Sequence, residues 1–299
     1  MNILQISSPK SGSYWLHTIL LQILQKKGMP VKSFIQKQEE FQEVKEMDLS
    51  FKGQAEVDML DIEEDGCYYR ISSLVRNKVE DPVSYAKSTS LAWTHSTLCN
   101  RSFNIFPLFD KKICIVRDPR DRALSSAKFA FTPYMQKHYP SSYATAEEYF
   151  EAEYERLLDQ WVWFTGNYLL KKEELNIHFV FYERLLHDFD DELDSLLNYL
   201  GISISEPQRK EIARAVTFDS MKEKSPGHLH KGKYRKWEKN LSEAEKHLAV
   251  DKAGALLNWL NYPQTANDKN LLPGLPENLP KEELQEILEN MNWHVLYEE

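Results

Sequence analysis

The stretch ILQISSPKSGSYW, residues 3–15, decides the fold of this chain. Residues 3–6 form a short apolar run that predicts a buried strand, and residues 7–12 have the small and turn-forming side chains of a loop. Apolar residues then recur at positions 16, 19, 20, 23 and 24, the spacing of one helix face, until Gly28 and Pro30 end the pattern. The segment therefore predicts a strand, a loop and a helix, which is half of a β-α-β unit.

The loop PKSG, residues 9–12, has the chemistry of an anion site. The backbone amides of a strand-to-helix loop and the N-terminus of the following helix together attract a phosphate group. It is not a Walker loop, because Lys10 precedes Gly12 instead of following a glycine. From the entrance of the loop, Lys10 is expected to reach the atom that bridges a phosphate to its leaving group. The alternative interpretation is a plain turn with a solvated lysine.

Alternating strand and helix patterns continue along the chain. Strands are predicted near residues 67–71, 90–95, 111–116 and 177–182, and helices over residues 145–171, 187–200 and 242–260. Asp118 and Pro119 are a typical helix start, and Ser242 with Glu245 forms a capping box. Residues 31–87 are polar and hard to assign, apart from a helix suggested over 37–48. The pattern predicts the α/β class, a single domain with a mainly parallel central sheet flanked by helices.

Composition and charge narrow the classes of function. The chain has 299 residues and a net charge of −9, which argues against nucleic-acid partners and against binding to an anionic membrane. Its three cysteines are widely spaced and form no C-x-x-C pair, so neither a disulfide framework nor a structural metal site is expected. No signal peptide and no apolar run long enough to span a bilayer are recognised, which predicts a cytoplasmic protein.

Four segments in order resemble the cytosolic-type, PAPS-dependent sulfotransferase family. The first is SPKSGSYW at residues 8–15, similar to the family's Y-P-K-S-G-T-T-W signature. The second is IVRDPRDRALS at 115–125, and the third is FYERL at 181–185 leading to Leu200 and Gly201. The fourth is HKG at 230–232 followed by Trp237. The resemblance runs from about residue 3 to 262, which suggests a sulfotransferase domain at 1–263 and a C-terminal extension at 264–299 ending in a helix.

The resemblance implies a P-loop-NTPase-like sulfotransferase fold and an enzyme that uses 3′-phosphoadenosine-5′-phosphosulfate (PAPS). The donor becomes 3′,5′-adenosine bisphosphate, and no metal is implied. The implied catalytic residues are His95, Lys10 and Ser125; His95 lies 22 residues before Arg117, the interval that the family shows for its catalytic histidine. The implied nucleotide-binding residues are Lys10, Ser11, Gly12, Ser13, Tyr14, Trp15, Arg117, Ser125, Tyr182, Phe218, His230, Lys231 and Gly232.

Each assignment has an ordinary structural alternative. A histidine at a strand end is more often a structural residue, and Trp15 and Phe218, which match positions that sandwich adenine, are by themselves more typical of a core. The chain also departs from the family pattern. His230 replaces an arginine, for which Arg235 is a candidate substitute, and Trp93 stands where many members have a lysine near the acceptor.

The acceptor is expected to be a small molecule with a hydroxyl or amine group, such as a specialised metabolite or alkaloid. We expect the acceptor pocket to be lined by residues 31–45, 73–100 and 128–165. The last range is rich in aromatic side chains: Phe129, Phe131, Tyr134, Tyr139 and Tyr143. A phenol, a flat alkaloid and a cationic guanidinium compound all fit this pattern. Two other functions stay open, a nucleotide-dependent phosphotransferase and a catalytically silent binding protein. The sequence leaves the oligomeric state undecided. It also leaves three roles open for the C-terminal tail: a cap on the pocket, a docked helix or an assembly surface.

Overall fold

A seven-stranded sheet forms the centre of the molecule. The computed structural model describes residues 1–51, 53–217, 219–221, 234–265, 268 and 271–291. The strands are β1 (Ile3–Ser7), β2 (Asp58–Ile62), β3 (Cys67–Ile71), β4 (Val75–Lys78), β5 (Leu91–Thr94), β6 (Lys111–Val116) and β7 (Ile177–Phe181). They lie in the order β4-β3-β2-β5-β1-β6-β7, and β2, β5, β1, β6 and β7 are parallel. The predicted fold class is confirmed.

The α-helices of the described residues cover the sheet. They are α1 (Ser13–Lys26), α2 (Phe41–Lys45), α3 (Pro82–Ser88), α4 (Ser102–Ile105), α5 (Pro119–Ala130), α6 (Pro133–His138), α7 (Ala146–Leu170), α8 (Tyr182–His187), α9 (Phe189–Leu200), α10 (Glu206–Ala215), α11 (Trp237–Asn240), α12 (Glu243–Trp259) and α13 (Lys281–Glu289). Short 3₁₀ turns lie at Ile35–Lys37, Gln54–Glu56 and Phe106–Leu108. None of these helices is both long and apolar enough to cross a membrane.

The antiparallel part of the sheet is the element that the sequence did not predict in full. β3 pairs antiparallel with β2 and with β4, so a three-stranded meander extends the parallel sheet at one edge. β2 and β3 alternate buried with half-buried residues, and β4 alternates half-buried with exposed ones. This alternation is typical of a sheet with one solvated face, whereas the parallel strand β1 is buried throughout.

Four neighbouring strands end at the same edge of the sheet. Ser7 ends β1, and the loop with Lys10 follows it; His95 directly follows β5, Arg117 follows β6, and Tyr182 follows β7. Ligands of open α/β sheets bind outside the carboxyl ends of the strands. The topology alone therefore brings together residues that lie up to 175 positions apart in the sequence.

The C-terminal extension contributes a helix that packs on the domain. In α13, Leu284 and Leu288 are buried, and a Cβ atom added at Gly166 of α7 would lie 3.1 and 3.0 Å from their methyl carbons. This contact matches one of the three roles left open for the tail, a docked helix. The division of the chain at residue 263 stays a prediction, and residues 292–299 lie outside the described residues.

Candidate active site

The loop after β1 turns sharply into α1 through two left-handed residues. Lys10 has φ of 68° and Gly12 has φ of 95°. The Ser8 and Ser11 hydroxyls are 2.8 Å apart, and the buried Gln5 side chain donates to the Ser13 carbonyl at 2.7 Å. These contacts fix the start of α1, so the positive end of the helix dipole faces the cavity that Gly12 and Ser13 line.

Gly12 is required by its contact with Tyr182. A Cβ atom added to Gly12 would lie 2.5 Å from Cδ2 of the Tyr182 ring, a distance that non-bonded carbon atoms do not tolerate. The ring is buried and lies edge-on to Trp15, with centroids 5.6 Å apart. Loop, helix and the residue after β7 therefore pack together without room for a side chain at position 12.

Arg117 lies directly beside the loop. Its Nη1 donates to the Lys10 carbonyl at 3.0 Å, and its guanidinium carbon is 4.4 Å from the centre of the Tyr182 ring. The Nε atom is buried and has no hydrogen-bond partner among the described residues. A buried charged donor without a partner is costly unless a ligand supplies one. Arg117 and Lys10 thus lie on the same side of the site, as one shared anionic ligand requires.

Lys10 is held over an aromatic ring. Its Nζ is 3.8 Å from the centre of the Phe129 ring on α5. Burial and, to a smaller extent, the positive charge of Arg117 lower the pKa of Lys10 to about 7. The lysine is therefore only partly charged near neutral pH in the free protein, and an anionic ligand would restore its charge.

His95 is half-buried, and one of its ring nitrogens is hydrogen-bonded to the backbone. Nδ1 is 2.6 Å from the Ser7 carbonyl oxygen. Because a carbonyl only accepts hydrogen bonds, Nδ1 carries the proton, and the lone pair is on Nε2. Burial lowers the pKa of His95 to about 4, so the ring is neutral.

A cavity of about 400 Å³ connects these groups. Its lining includes nine of the predicted site residues: Lys10, Gly12, Ser13, Tyr14, Trp15, His95, Arg117, Ser125 and Tyr182. Ser11 is fully buried, and its side chain faces Ser8 instead of the cavity. The predicted contacts Phe218, His230, Lys231 and Gly232 lie outside the described residues.

Trp15 has two roles that the sequence offered as alternatives. It is 5% exposed, and its Nε1 donates to the Val216 carbonyl at 2.9 Å, which ties α1 to the end of α10. It also lines the cavity. The residue is therefore a core residue with one edge at the site.

Arg235 does not supply the cation missing at position 230. Its guanidinium pairs with Glu238 and donates to the carbonyls of Thr265 and Asp268, and the residue does not line the cavity. The neighbouring residue, Lys236, does line it. The candidate substitution proposed from the sequence is therefore not supported by the geometry.

The far end of the cavity is walled by apolar and aromatic side chains. Phe51, Val57 and Trp93 form one buried cluster, which Tyr14 and Met59 adjoin. On the opposite side, Phe129, Tyr134 and Tyr139 line the cavity as expected, but Phe131 and Tyr143 do not. Residues 31–45, expected at the pocket, do not line it. Other residues from this part of the chain do, and of these only Ser73 lies in a range expected at the pocket: Ser50, Phe51, Gln54, Val57, Met59, Arg70 and Ser73.

Beneath the site lies a buried polar network that the sequence did not reveal. Glu183 accepts from the Asp118 amide at 2.9 Å and from the Tyr262 hydroxyl at 3.2 Å. Arg120 makes two hydrogen bonds to the Asp118 carboxylate and stacks over the Trp237 ring. Burial, followed by the charge of Asp118, raises the pKa of Glu183 to about 8. The network joins the start of α5 to α8, α11 and the residues after α12.

Comparison with known proteins places this architecture in a family. The model of the sulfotransferase domain matches residues 2–256, most of the chain. The chain belongs to the sulfotransferase family. The sulfotransferase family and the enzyme class expected from the four sequence segments are thereby confirmed.

Individual sulfotransferases resemble this chain over different fractions of their length. Cytosolic sulfotransferase 1 of Danio rerio is 38% identical over 64 residues, which are 21% of this chain and 21% of that protein. Retinol dehydratase in a complex with retinol and PAP has a TM-score of 0.59 at 18% identity, covering 88% of this chain and 83% of that one. A mouse sulfotransferase complexed with PAP has a TM-score of 0.53 at 18% identity, covering 84% and 83%. At such identities the structural likeness shows the fold.

Proposed function

We propose that this sulfotransferase moves a sulfuryl group from PAPS to a hydroxyl group of a small-molecule acceptor. The observation that carries the proposal is the meeting of His95, Lys10 and Arg117 in one cavity at the carboxyl ends of β5, β1 and β6. In the reaction, the bond between sulfur and the 5′-phosphate oxygen breaks and a bond from sulfur to the acceptor oxygen forms. The acceptor proton passes to the protein, and 3′,5′-adenosine bisphosphate leaves.

His95 acts as the general base in this proposal. With the Nδ1 proton donated to the Ser7 carbonyl, the Nε2 lone pair is available to take the acceptor's proton. A pKa of about 4 makes the free histidine a weak base. The negative charge of a bound donor favours the protonated ring and so raises this pKa, which brings the base closer to the range useful at neutral pH.

Lys10 stabilises the leaving group. Transfer of this kind is expected to have a loose, in-line transition state, by analogy with phosphoryl transfer, so charge develops on the oxygen between sulfur and the 5′-phosphate. A lysine at the loop entrance can neutralise that charge as it develops. The loop amides and Ser13 hold the 5′-phosphate, while Phe129 keeps the side chain of Lys10 in place.

The 3′-phosphate is assigned to Arg117 and Ser125. The buried Nε of Arg117 has a hydrogen bond to donate, and Ser125 lines the same cavity from the second turn of α5. Lys231 and Gly232 complete this site in the proposal, with Phe218 and Trp15 on either side of the adenine. Arg117 and Lys236 place positive charge at this cavity although the net charge of the chain is −9.

The proposal is tested by following labelled sulfur from PAPS to a panel of phenols and alcohols. Transfer should depend on the acceptor, and His95→Ala should lower kcat by about 10²–10⁴-fold, the usual contribution of a general base. The affinity for 3′,5′-adenosine bisphosphate should change little. Full turnover by His95→Ala on an accepted substrate would contradict the assignment.

His17→Ala is a matched control for this experiment. His17 is another neutral histidine, with its pKa lowered to about 4 by burial, and its ring lies 6.0 Å from that of Trp93. Since His17 does not line the cavity, its removal should leave kcat within a small factor of the wild-type value. Binding of ATP with magnesium in preference to 3′,5′-adenosine bisphosphate would favour a phosphotransferase instead.

A further inference from the structure

The acceptor end of the cavity contains a charge that the proposed mechanism does not use. Arg70 of β3 lines the cavity, together with Met59 of β2 and Trp93 of β5. Lys10 and Arg117 are assigned to the nucleotide, but Arg70 lies on the meander that extends the sheet away from the loop. A positive charge on the acceptor side affects which acceptor charges the site can bind.

Sheet register fixes where Arg70 lies relative to His95. Met59 pairs with Trp93, and Arg70 pairs with Met59, so these three residues form one row across β5, β2 and β3 on the same face. His95 is two residues beyond Trp93 and shares that face. With strands about 4.8 Å apart and a rise of about 3.3 Å per residue, the Cα atoms of Arg70 and His95 lie roughly 12 Å apart across the sheet.

This separation suits a specific size of acceptor. With both side chains rising from the same face, hydrogen-bond contacts of about 3 Å at each end leave room between them for an acceptor built on one aromatic ring. The lining of the cavity also suits an aromatic acceptor, because Phe51, Trp93 and Tyr134 are each more than 90% buried and line the space in which a ring would lie.

The guanidinium of Arg70 is oriented through its Nε atom. This atom pairs with Asp61, and the same carboxylate oxygen also accepts from Nε of Arg76 at 3.1 Å. Arg76 also pairs with Glu63, so the two guanidinium groups are matched by two carboxylates. An Nε contact of this kind also leaves the two Nη groups of Arg70 as a fork suited to a carboxylate.

Acidic groups at the cavity are too few for a cationic acceptor. Among the described residues that line it, Asp121 is the one carboxylate, and it lies on α5, where it accepts from the Trp237 amide at 2.9 Å. A guanidinium or ammonium compound, which the sequence left open, would meet Arg70 at the acceptor end. Asp61, whose negative charge acts on His95, does not line the cavity and is paired with Arg70 and Arg76.

We propose that the acceptor is a hydroxylated aromatic compound that also carries an anionic group, which Arg70 binds while the hydroxyl faces His95. The proposal rests on the function proposed above. It makes Arg70 a specificity-determining residue for the charge of the acceptor.

Three acceptors that share one phenol test this proposal: para-hydroxyphenylpropanoate, its primary amide, and tyramine. They differ in carrying a negative, a neutral or a positive side chain of similar size. We expect kcat/KM to be highest for the propanoate and lowest for tyramine. Arg70→Gln should lower the ratio of kcat/KM between propanoate and amide by about tenfold to 100-fold, the value of one charge-assisted hydrogen bond.

Arg76→Gln is the matched control, because Arg76 pairs with the same Asp61 but does not line the cavity. It should leave the propanoate-to-amide ratio near that of the wild type. Equal kcat/KM for the propanoate and the amide in the wild type, or an unchanged ratio in Arg70→Gln, would overturn the proposal.

Equilibrium binding separates this proposal from the proposed function. Calorimetry with the complex of the protein and 3′,5′-adenosine bisphosphate measures the affinity of each phenol without any transfer. Tighter binding of the propanoate that is lost in Arg70→Gln, but with no sulfated product, would support the anion site and reject the transfer reaction. Sulfation of all three phenols with equal binding would reject the anion site and leave the transfer reaction standing.

Discussion

Replacing Gly12 by alanine tests the packing at the centre of the site. Gly12 has φ of 95°, and the new Cβ atom would lie 2.5 Å from Cδ2 and 3.0 Å from Cε2 of Tyr182. The ring cannot move away freely, since it is 6% exposed and packs between Trp15 and the guanidinium of Arg117. The methyl group must therefore displace either the loop or the ring that Arg117 contacts.

The size of the effect follows from two contributions. A left-handed alanine costs about 1–2 kcal/mol, and forcing a methyl group into a packed site costs about 1–3 kcal/mol. A loss of about 2–5 kcal/mol lowers the Tm of a chain of this size by about 5–15 °C. Displacement of Arg117 should also weaken the binding of 3′,5′-adenosine bisphosphate by at least about tenfold, because a charge-assisted hydrogen bond is worth about 1.5–3 kcal/mol.

Thermal unfolding and calorimetry of Gly12→Ala measure both effects, and Gly28→Ala is the control. Gly28 also has positive φ, of 69°, but an added Cβ atom there has no neighbour within 4 Å. It should therefore show the backbone contribution alone and bind the nucleotide normally. Equal losses of stability in the two variants, with unchanged affinity in Gly12→Ala, would refute the packing argument.

Three further predictions concern charge and the tail. An anionic ligand should raise the pKa of Lys10 above its value of about 7 in the free protein. The affinity for 3′,5′-adenosine bisphosphate should therefore fall by up to about tenfold per pH unit above neutrality. Calorimetry should show that Lys10→Met removes this pH dependence. Glu183, with its pKa raised to about 8, keeps a proton in the folded protein that the unfolded chain releases above its ordinary pKa of 4.5. Stability should therefore fall as pH rises from there towards 8, by up to about 1.4 kcal/mol per unit, and denaturant unfolding of Glu183→Gln should show a smaller fall. Leu284→Ala, which empties the buried contact on Gly166, should cost about 2–5 kcal/mol in denaturant unfolding while nucleotide affinity stays unchanged.

Local pattern was sufficient for the parts of the fold that depend on local chemistry. Strand β1 is buried throughout, as the apolar residues 3–6 predicted. The loop contains Gly12, whose φ is positive, and α1 starts directly after this glycine. The roles of Arg117 and His95 were implied by the family resemblance, and both residues lie at the ends of predicted strands, whose carboxyl ends meet at one edge of a parallel sheet. The sequence thus predicted the strand-to-helix junction and the nucleotide side of the site.

The acceptor side was not predictable in the same way. Strands β2 and β4 contain charged residues such as Asp61 and Arg76, which weaken the pattern of a strand. Their pairing depends on contacts between distant segments, and so does the position of Phe51 in the cavity wall. The hydrogen bond from the Asp118 amide to Glu183 joins residues that are 65 positions apart, so no local sequence pattern predicts it.

The most direct test of the account is a structure of the protein with bound 3′,5′-adenosine bisphosphate. We expect the 5′-phosphate at the N-terminus of α1 beside Lys10, and the 3′-phosphate within hydrogen-bond distance of Arg117 and Ser125. The space next to the 5′-phosphate should open towards Nε2 of His95. A nucleotide bound with both phosphates away from Arg117, or with His95 remote from the 5′-phosphate, would contradict the central claim.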